Sequence, residues 1–226
     1  MELSNFTMQV LKNFATVNSN VVIQPGNSIM TMAEAKNILG QATIPETFTQ
    51  QFGIYDLQEF LNVLSLVDSP RVRFEPNSVL IGDSTGRAQI KYFFSDPEML
   101  TSPSKPINMP EPDVTFSLDQ NTLSNLKRAA SALGHSQMSI TYVDGLIRLS
   151  IIESDNSTSN TYAIDVDGES KLADCNFIID IANLKIIPSD YKVEISTKLI
   201  SQFTSIDDSM DLKYWIALEK SSTFKS

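Results

Sequence analysis

The sequence is poor in the side chains from which metal and redox sites are built. Among its 226 residues there are one cysteine, Cys175, and one histidine, His135. An internal disulfide, a zinc site of several cysteines and a paired-imidazole metal site are therefore excluded. The eight glycines form no phosphate-binding loop. No metal or cofactor is expected. Cys175, before an apolar run, is predicted to be a small core residue, and His135 to lie in a surface loop.

Long apolar runs are also missing. No stretch approaches the roughly 18 apolar residues that span a bilayer. The first residues, MELSN, lack the basic start and apolar block of a signal peptide. With a single cysteine, these features predict a soluble protein of a reducing, cytoplasmic compartment without a membrane partner.

Positive charge is scarce as well. The chain has 17 basic and 27 acidic residues, a formal net charge of −10. Proteins that grip duplex DNA normally present a basic surface to its phosphates. Net charge describes the average surface and not one face, however, so the positions of the few basic residues decide the matter.

Two segments have the apolar period of a helix with one buried face. In residues 3–18 and 119–134 the apolar stripes consist of Leu3, Phe6, Val10, Phe14 and Val17, and of Leu123, Leu126, Ala130 and Leu133. Asp119 is a predicted N-cap and Gly134 a predicted C-cap. Superposing the stripes places Lys12 on Arg128, an offset of 116 residues and about half the chain. This indicates a weak internal repeat.

Each half also holds a second, shorter predicted helix. Asp56 precedes apolar positions that continue to Val67, and Asp180 precedes Ile181, Leu184 and Ile187, with Lys185 on the polar side. Short strand-like runs cover residues 20–23, 72–74, 79–81, 139–142, 146–152, 161–164, 193–195 and 213–218. Two helices among many strands in each half predict an α+β fold with antiparallel sheets.

A proline-rich stretch divides the chain. Residues 96–113 contain five of the ten prolines and favour an extended crossover. The predicted domains are therefore residues 1–110, including the linker, and residues 111–226. Ile107 and Met109 lie inside this stretch, which is unusual for a simple spacer.

Two short motifs resemble catalytic or metal-binding loops. The segment GDSTG at residues 82–86 is similar to a serine nucleophile loop, but only His135 could supply the base. The segment DVDG at residues 165–168 resembles a calcium loop but lacks further ligands. A turn between strands is predicted at the first and a hairpin turn at the second, and no residue is predicted to be catalytic.

Four basic residues, Lys12, Lys127, Arg128 and Lys185, fall on the polar sides of predicted helices. Each alone is typical of ordinary solvated charge. The paired placement of Lys12 and Arg128 across the repeat favours a basic helical face that contacts phosphates without reading base sequence.

Four blocks of the sequence resemble the sliding clamps of T-even-type bacteriophages. They are LKNFATVNS (residues 11–19), IYDLQEFLNVLSLV (54–67), NFIIDIANLKIIPSDYK (176–192) and YWIALEKSST (214–223). They occur in the family's order, and the length of the chain fits. Residues 25–51 and 153–174 match poorly, so the layout of strands there stays open.

The resemblance implies a two-domain, ring-forming DNA clamp with two helices packed on antiparallel sheets in each domain. Three copies would form a homotrimeric ring around double-stranded DNA, with Lys12, Lys127, Arg128 and Lys185 facing the duplex. Such a ring is not an enzyme and tethers the phage DNA polymerase for processive replication. The implied partners are the polymerase C-terminal tail, the clamp loader and late-transcription factors, in the cytoplasm of the infected bacterial host.

The resemblance also implies a pocket for partner peptides between the linker and the C-terminal strand. Its matching positions are Ile107, Met109, Trp215, Ala217 and Leu218. The simpler interpretation is that Trp215 and Leu218 belong to the core.

Two other classes remain as alternatives. A virion or tail protein with two β-rich domains would need neither a basic helical face nor an apolar linker. An enzyme with a carboxylate pair would need a spacing that places both acids on one face, and the sequence has no clear pair of this kind.

Overall fold

The computed structural model describes residues 1–83, 85, 87–103, 107–154, 156 and 158–225. It divides into two compact units, Met1–Lys105 and Pro106–Ser226. The sequence-based boundary between residues 110 and 111 lies five residues later.

Two helices of the first unit begin at side-chain caps. Helix α1 (Asn5–Val17) starts at Ser4, whose hydroxyl accepts the Thr7 backbone N–H. Helix α2 (Leu57–Leu64) starts at Asp56, whose carboxylate accepts the Glu59 N–H at 2.9 Å. These bonds satisfy donors that have no partner within the helix. The predicted stripe of α2 is buried, whereas in α1 Val10, Phe14 and Val17 are buried and Phe6 is half-buried.

The first unit has seven strands, all paired antiparallel within the described residues. Strand β1 pairs with β4, β2 pairs with β3, and β5, β6 and β7 form a sheet in that order. Their bounds are Val21–Ile23 (β1), Gly26–Met32 (β2), Ile38–Phe48 (β3), Phe52–Ile54 (β4), Arg71–Glu75 (β5), Ser78–Gly82 (β6) and Gln89–Phe93 (β7). A 3-10 turn follows at Pro97–Met99.

Helix α3 (Gln120–Leu133) of the second unit has the same design as α1. The Asp119 carboxylate accepts the Thr122 N–H at 2.8 Å, and Gly134 ends the helix with a left-handed φ of 70°. Hydrogen bonds from the Thr122 side chain and backbone hold the pKa of Asp119 below its usual range. Leu123, Leu126 and Ala130 are buried.

The described residues of the second unit also form ten strands, in two antiparallel sheets. One sheet has the order β11-β10-β9-β13-β17, and the other contains β12-β8-β14-β15-β16. Their bounds are Val114–Leu118 (β8), Gln137–Val143 (β9), Leu146–Ile152 (β10), Tyr162–Val166 (β11), Gly168–Ser170 (β12), Asp174–Asp180 (β13), Tyr191–Ser196 (β14), Ile200–Ser205 (β15), Asp211–Ala217 (β16) and Thr223–Lys225 (β17).

The second helix predicted for this half is wrong. After Asp180 the chain makes only one 3-10 turn, Ile181–Asn183, and then continues without regular structure. Pro188 disfavours a helical conformation at Ile187, and a segment this short cannot offset the cost of helix nucleation. Two tyrosines supply the missing backbone bonds. The Ile187 N–H donates to the Tyr214 hydroxyl at 3.2 Å, and the Tyr191 hydroxyl donates to the Ile187 carbonyl.

The hairpin predicted at residues 165–168 is also wrong. Asp165 lies within β11, where Arg148 holds it with two bonds of 2.7 and 2.9 Å. Strand β12 then pairs with β8 in the other sheet, so Asp167 stands where the chain changes sheets. A Cβ at Gly168 would come within 2.6 Å of the Ile147 side chain, so only glycine fits this crossing.

The turn predicted after β6 is confirmed, because β6 and β7 pair antiparallel around it; Ser84 and Gly86 lie outside the described residues. Cys175 is buried, as predicted. His135 was predicted to lie in a surface loop, but its side chain is largely buried. Its side chain is only 10% exposed, and its Nε2 lies 2.8 Å from the Asn160 carbonyl.

The described residues contain no cluster of three or more His, Cys, Asp or Glu side chains suited to a metal ion. Within the same residues, no helix has the length and apolar character needed to cross a membrane.

Candidate nucleic-acid interface and partner pocket

Helix α1 exposes a polar face that carries one positive charge. Asn5, Gln9, Lys12 and Thr16 are exposed and follow one another at four- and three-residue steps. This spacing places them on one side, away from buried Val10. The face therefore offers an ammonium group flanked by amides and a hydroxyl.

Helix α3 repeats this face in the second unit. Asn121, Ser124, Arg128 and Ser131 are exposed at three- and four-residue steps. The Arg128 guanidinium donates to the Asn125 side-chain oxygen, which orients it along the helix. Arg128 and Lys12 thus occupy equivalent places on two helices of the same design.

Lys127 differs from its neighbour because it is half-buried. Burial lowers the pKa of its ammonium group. Lys127 and Arg128 line a cavity of about 390 Å³ between α3 and Pro188. A partly buried charge interacts more strongly with an incoming anion than a charge surrounded by water.

Lys185 does not lie on a helix, contrary to the sequence-based prediction. It is exposed in the irregular segment after the 3-10 turn, three residues before Pro188. Its neighbours Leu184 and Ile186 are buried, so the local backbone is anchored even though it is not helical.

Many cations on the strands are matched by carboxylates. Arg148 pairs with Asp165 at 2.7 Å, Lys192 with Glu194 at 2.7 Å, and Lys91 with Glu75 at 3.4 Å. In the part of the chain that the structure describes, no carboxylate oxygen lies within 4.0 Å of the basic groups of Lys12, Lys127 and Arg128.

The sequence explains why these three basic residues have no carboxylate partner, but the explanation is missed if only basic residues are considered. Helices α1 and α3, with 13 and 14 residues, contain no aspartate or glutamate. The chain has 27 acidic residues among 226, so two helices of this combined length would contain about three acidic residues at the average composition. These helices are thus free of acids in an acidic chain.

The proposed pocket residues differ in burial. Trp215 and Leu218 are 5% and 6% exposed, whereas Ile107, Met109 and Ala217 are half-buried. The indole N–H of Trp215 donates to the Gln202 side-chain oxygen at 2.8 Å, across the β15–β16 pair. Trp215 and Leu218 therefore serve as core, and the three half-buried residues are the ones that a partner could reach.

Comparison with known proteins shows what this arrangement resembles. The family model "DNA polymerase processivity factor" matches residues 4–75, and "gp45 sliding clamp, C terminal" matches residues 115–220. The sliding clamp of Enterobacteria phage T4 is 32% identical over 231 residues, which cover 99% of each chain. The chain belongs to the sliding clamp family.

Two further sliding clamps are similar to it over almost their full length. That of Vibrio phage KVP40 is 31% identical, covering 97% of this chain and 99% of the relative. That of Escherichia phage RB69 is 31% identical, covering 99% of both. The membership favours the clamp interpretation over a virion or tail protein.

The fold extends beyond phages. A crystal structure of proliferating cellular nuclear antigen from Entamoeba histolytica superposes with a TM-score of 0.67, covering 94% of both chains. Sequence identity is 14%, so the likeness concerns the fold alone. The α+β, two-domain clamp architecture predicted from the sequence is confirmed, with three α-helices rather than four among the described residues.

Proposed function

We propose that this sliding clamp works as a homotrimeric ring that encloses duplex DNA and tethers a phage DNA polymerase during replication. The observation that carries the proposal is the acid-free, cationic face repeated on α1 and α3. Phosphates can approach such a face without meeting a carboxylate, whereas the rest of a chain of charge −10 repels them.

The contacts expected from this face suit sliding. Lys12, Lys127 and Arg128, together with Lys185, would meet the phosphate backbone and not the base edges, so binding is independent of sequence. Three such sets in a closed ring give weak, exchangeable contacts, and retention then depends on enclosure. An acidic protein can therefore hold DNA without a high affinity for it.

Two strands support head-to-tail assembly. Strand β7 ends the β5-β6-β7 sheet of the first unit, and β11 ends a sheet of the second unit. Phe93, on β7, is 66% exposed. Unpaired sheet edges are templates for pairing with another chain. Pairing of β7 in one copy with β11 in the next would be a heterologous contact, which forms a ring where the rotation closes.

The partner pocket in this proposal is formed by Ile107, Met109 and Ala217 over a floor of Trp215 and Leu218. Half-buried apolar side chains beside a rigid aromatic residue are typical anchors for a short peptide. The C-terminal tail of the polymerase is the proposed occupant. The clamp loader and late-transcription factors would use the same kind of contact at other stages in the infected host's cytoplasm.

This function requires no chemical step in the chain, and we therefore propose a non-enzymatic role without a cofactor. The first test is the native mass at micromolar concentration, which should be three times the 25.1 kDa of one chain. The second is primer extension by the phage polymerase with clamp loader and ATP, where the protein should lengthen the products. A monomer that leaves product length unchanged would contradict the proposal.

A further inference from the structure

A cavity in the second unit shares no lining residue with the cavity beside Lys127 or with the proposed partner pocket. It measures about 690 Å³, and its wall is formed by the start of β10, the β12–β8 pair and the end of β15. Leu146 and Ile206, on this wall, are 38% and 55% exposed, and buried Phe116 also lines the cavity. Exposed aliphatic side chains that converge on a recess are typical of a binding groove.

The rim of this cavity is acidic. Asp167 and Glu169 line it and are exposed, and Asp144 and Asp207 adjoin the lining residues Gly145 and Ile206 along the chain. The cation of the described lining, Lys192, is already matched by Glu194 at 2.7 Å. Exposed carboxylates therefore outnumber the lysine of the described lining, and the groove is electrostatically complementary to an occupant that carries positive charge.

The strand beside the cavity offers a backbone edge. Strand β12 (Gly168–Ser170) is the terminal strand of its sheet, and β8 is its ladder partner among the described strands. Gly168 lies so close to Ile147 and Phe116 that no side chain fits there, which fixes β12 against its surroundings. An extended peptide can add to such an edge, with alternate side chains entering the recess.

We propose that this groove, bounded by Leu146, Ile206, Asp167 and Glu169, binds an extended cationic peptide segment of a partner protein. The segment places one bulky aliphatic side chain between Leu146 and Ile206 and sets lysine or arginine against Asp167 and Glu169. The interaction goes beyond the proposed DNA and polymerase contacts and does not depend on either.

The test measures by fluorescence anisotropy how the full chain binds the peptide Thr-Lys-Thr-Leu-Thr-Lys-Thr-amide, which carries an uncharged fluorophore on its N-terminal amine. Asp167→Lys with Glu169→Lys, or Ile206→Ser alone, should weaken binding by about tenfold or more. The matched control is Glu34→Lys with Asp68→Lys, which makes the same charge change at exposed positions of the first unit. It should retain the original affinity, and added salt should weaken the original binding.

Three results would overturn the proposal. The first is equal binding of a peptide in which both lysines are glutamate. The second is an equal loss of binding in the control and the groove variants. The third is a fall in native mass in the groove variants, because the groove would then be a contact between copies of this chain. The ring assay is unaffected by the first two outcomes, so failure here is distinguishable from failure of the clamp function.

Discussion

Reversal of the two repeated helix cations is the most informative perturbation of the proposed DNA face. Each lysine- or arginine-to-glutamate exchange changes the formal charge by two, so Lys12→Glu with Arg128→Glu takes a chain from −10 to −14. Both side chains are exposed on helix surfaces, and glutamate is a good helix former. Folding and assembly should therefore persist while DNA contact is lost.

The size of the effect follows from counterion release. Each neutralised phosphate contributes about 0.9 to the slope of log affinity against log salt concentration. Loss of two cations in each of three copies should therefore lower this slope by at most about 5. A slope of about 5 corresponds to about a thousandfold change in affinity for duplex DNA over a fourfold range of salt concentration. Anisotropy of a short labelled duplex, titrated at several salt concentrations, measures both quantities.

Two control variants make this result specific. Arg87→Glu with Lys220→Glu makes the same charge change at exposed positions outside the helices and should alter DNA affinity much less. Lys12→Gln with Arg128→Gln removes attraction without adding repulsion and should give an intermediate affinity. If the helix variant keeps its trimer mass, its salt slope and its stimulation of the polymerase, then α1 and α3 do not face DNA.

Three further predictions concern the partner pocket and the folding of the chain. Met109→Ala should weaken binding of the polymerase tail peptide, as measured by calorimetry. Trp215→Ala should do the same, provided that thermal melting shows that the variant still folds. Unchanged affinity in both variants would rule out the pocket. The pKa of Glu46 is lowered, because hydrogen bonds from Thr7 and Ser4 outweigh the opposing effect of burial. The ionised carboxylate should contribute about 1 kcal/mol to stability. This contribution should be present above pH 4.5, the ordinary pKa, and should disappear as pH falls through the lowered pKa. Urea titrations at pH 7 should show a lower free energy of unfolding for Glu46→Gln than for the original chain, and a difference that stays constant at acidic pH would contradict the role of these hydrogen bonds. Asp119→Ala should cost about 1 kcal/mol through loss of the α3 N-cap, and equal urea midpoints would argue against it.

The helices that could be predicted are those in which caps and apolar period agree. Asp56 and Asp119 each precede an apolar stripe and accept the N–H three residues later. Asp180 caps as well, but only a 3-10 turn, because its carboxylate accepts the Ala182 N–H two residues on. Buried hydroxyls of Tyr191 and Tyr214 then hold the following backbone. Those tyrosines are distant in sequence, so local patterns could not reveal their role.

The strands divide in a similar way. The prediction for residues 146–152 matches β10, because its alternating burial is local information. Strand β3 (Ile38–Phe48) was missed since it includes Pro45 and mixed polar residues, and its pairing with β2 contains a register shift. The change of sheets at Asp167 depends on the close approach of Gly168 to Ile147, which no turn motif encodes.

The candidate sites were only partly predictable. The equivalence of Lys12 and Arg128 follows from the repeat, and the acid-free composition of α1 and α3 could have been counted directly. Two features of the basic residues could not be predicted. The cavity beside Lys127 is also lined by Pro188, which is distant in sequence, and Lys185 follows a 3-10 turn instead of lying on a helix. Burial of Trp215 within the sheet likewise arises from pairing of β15 with β16.

The central claim is that this chain holds DNA by enclosing it, and retention on a closed circle tests it most directly. The protein is loaded onto nicked circular DNA with clamp loader and ATP, separated from free protein by gel filtration, and the circle is then linearised. Enclosure predicts that the protein stays with the circle and leaves once the DNA has ends. Equal retention on circular and linear DNA, or no retention on circles, would contradict it.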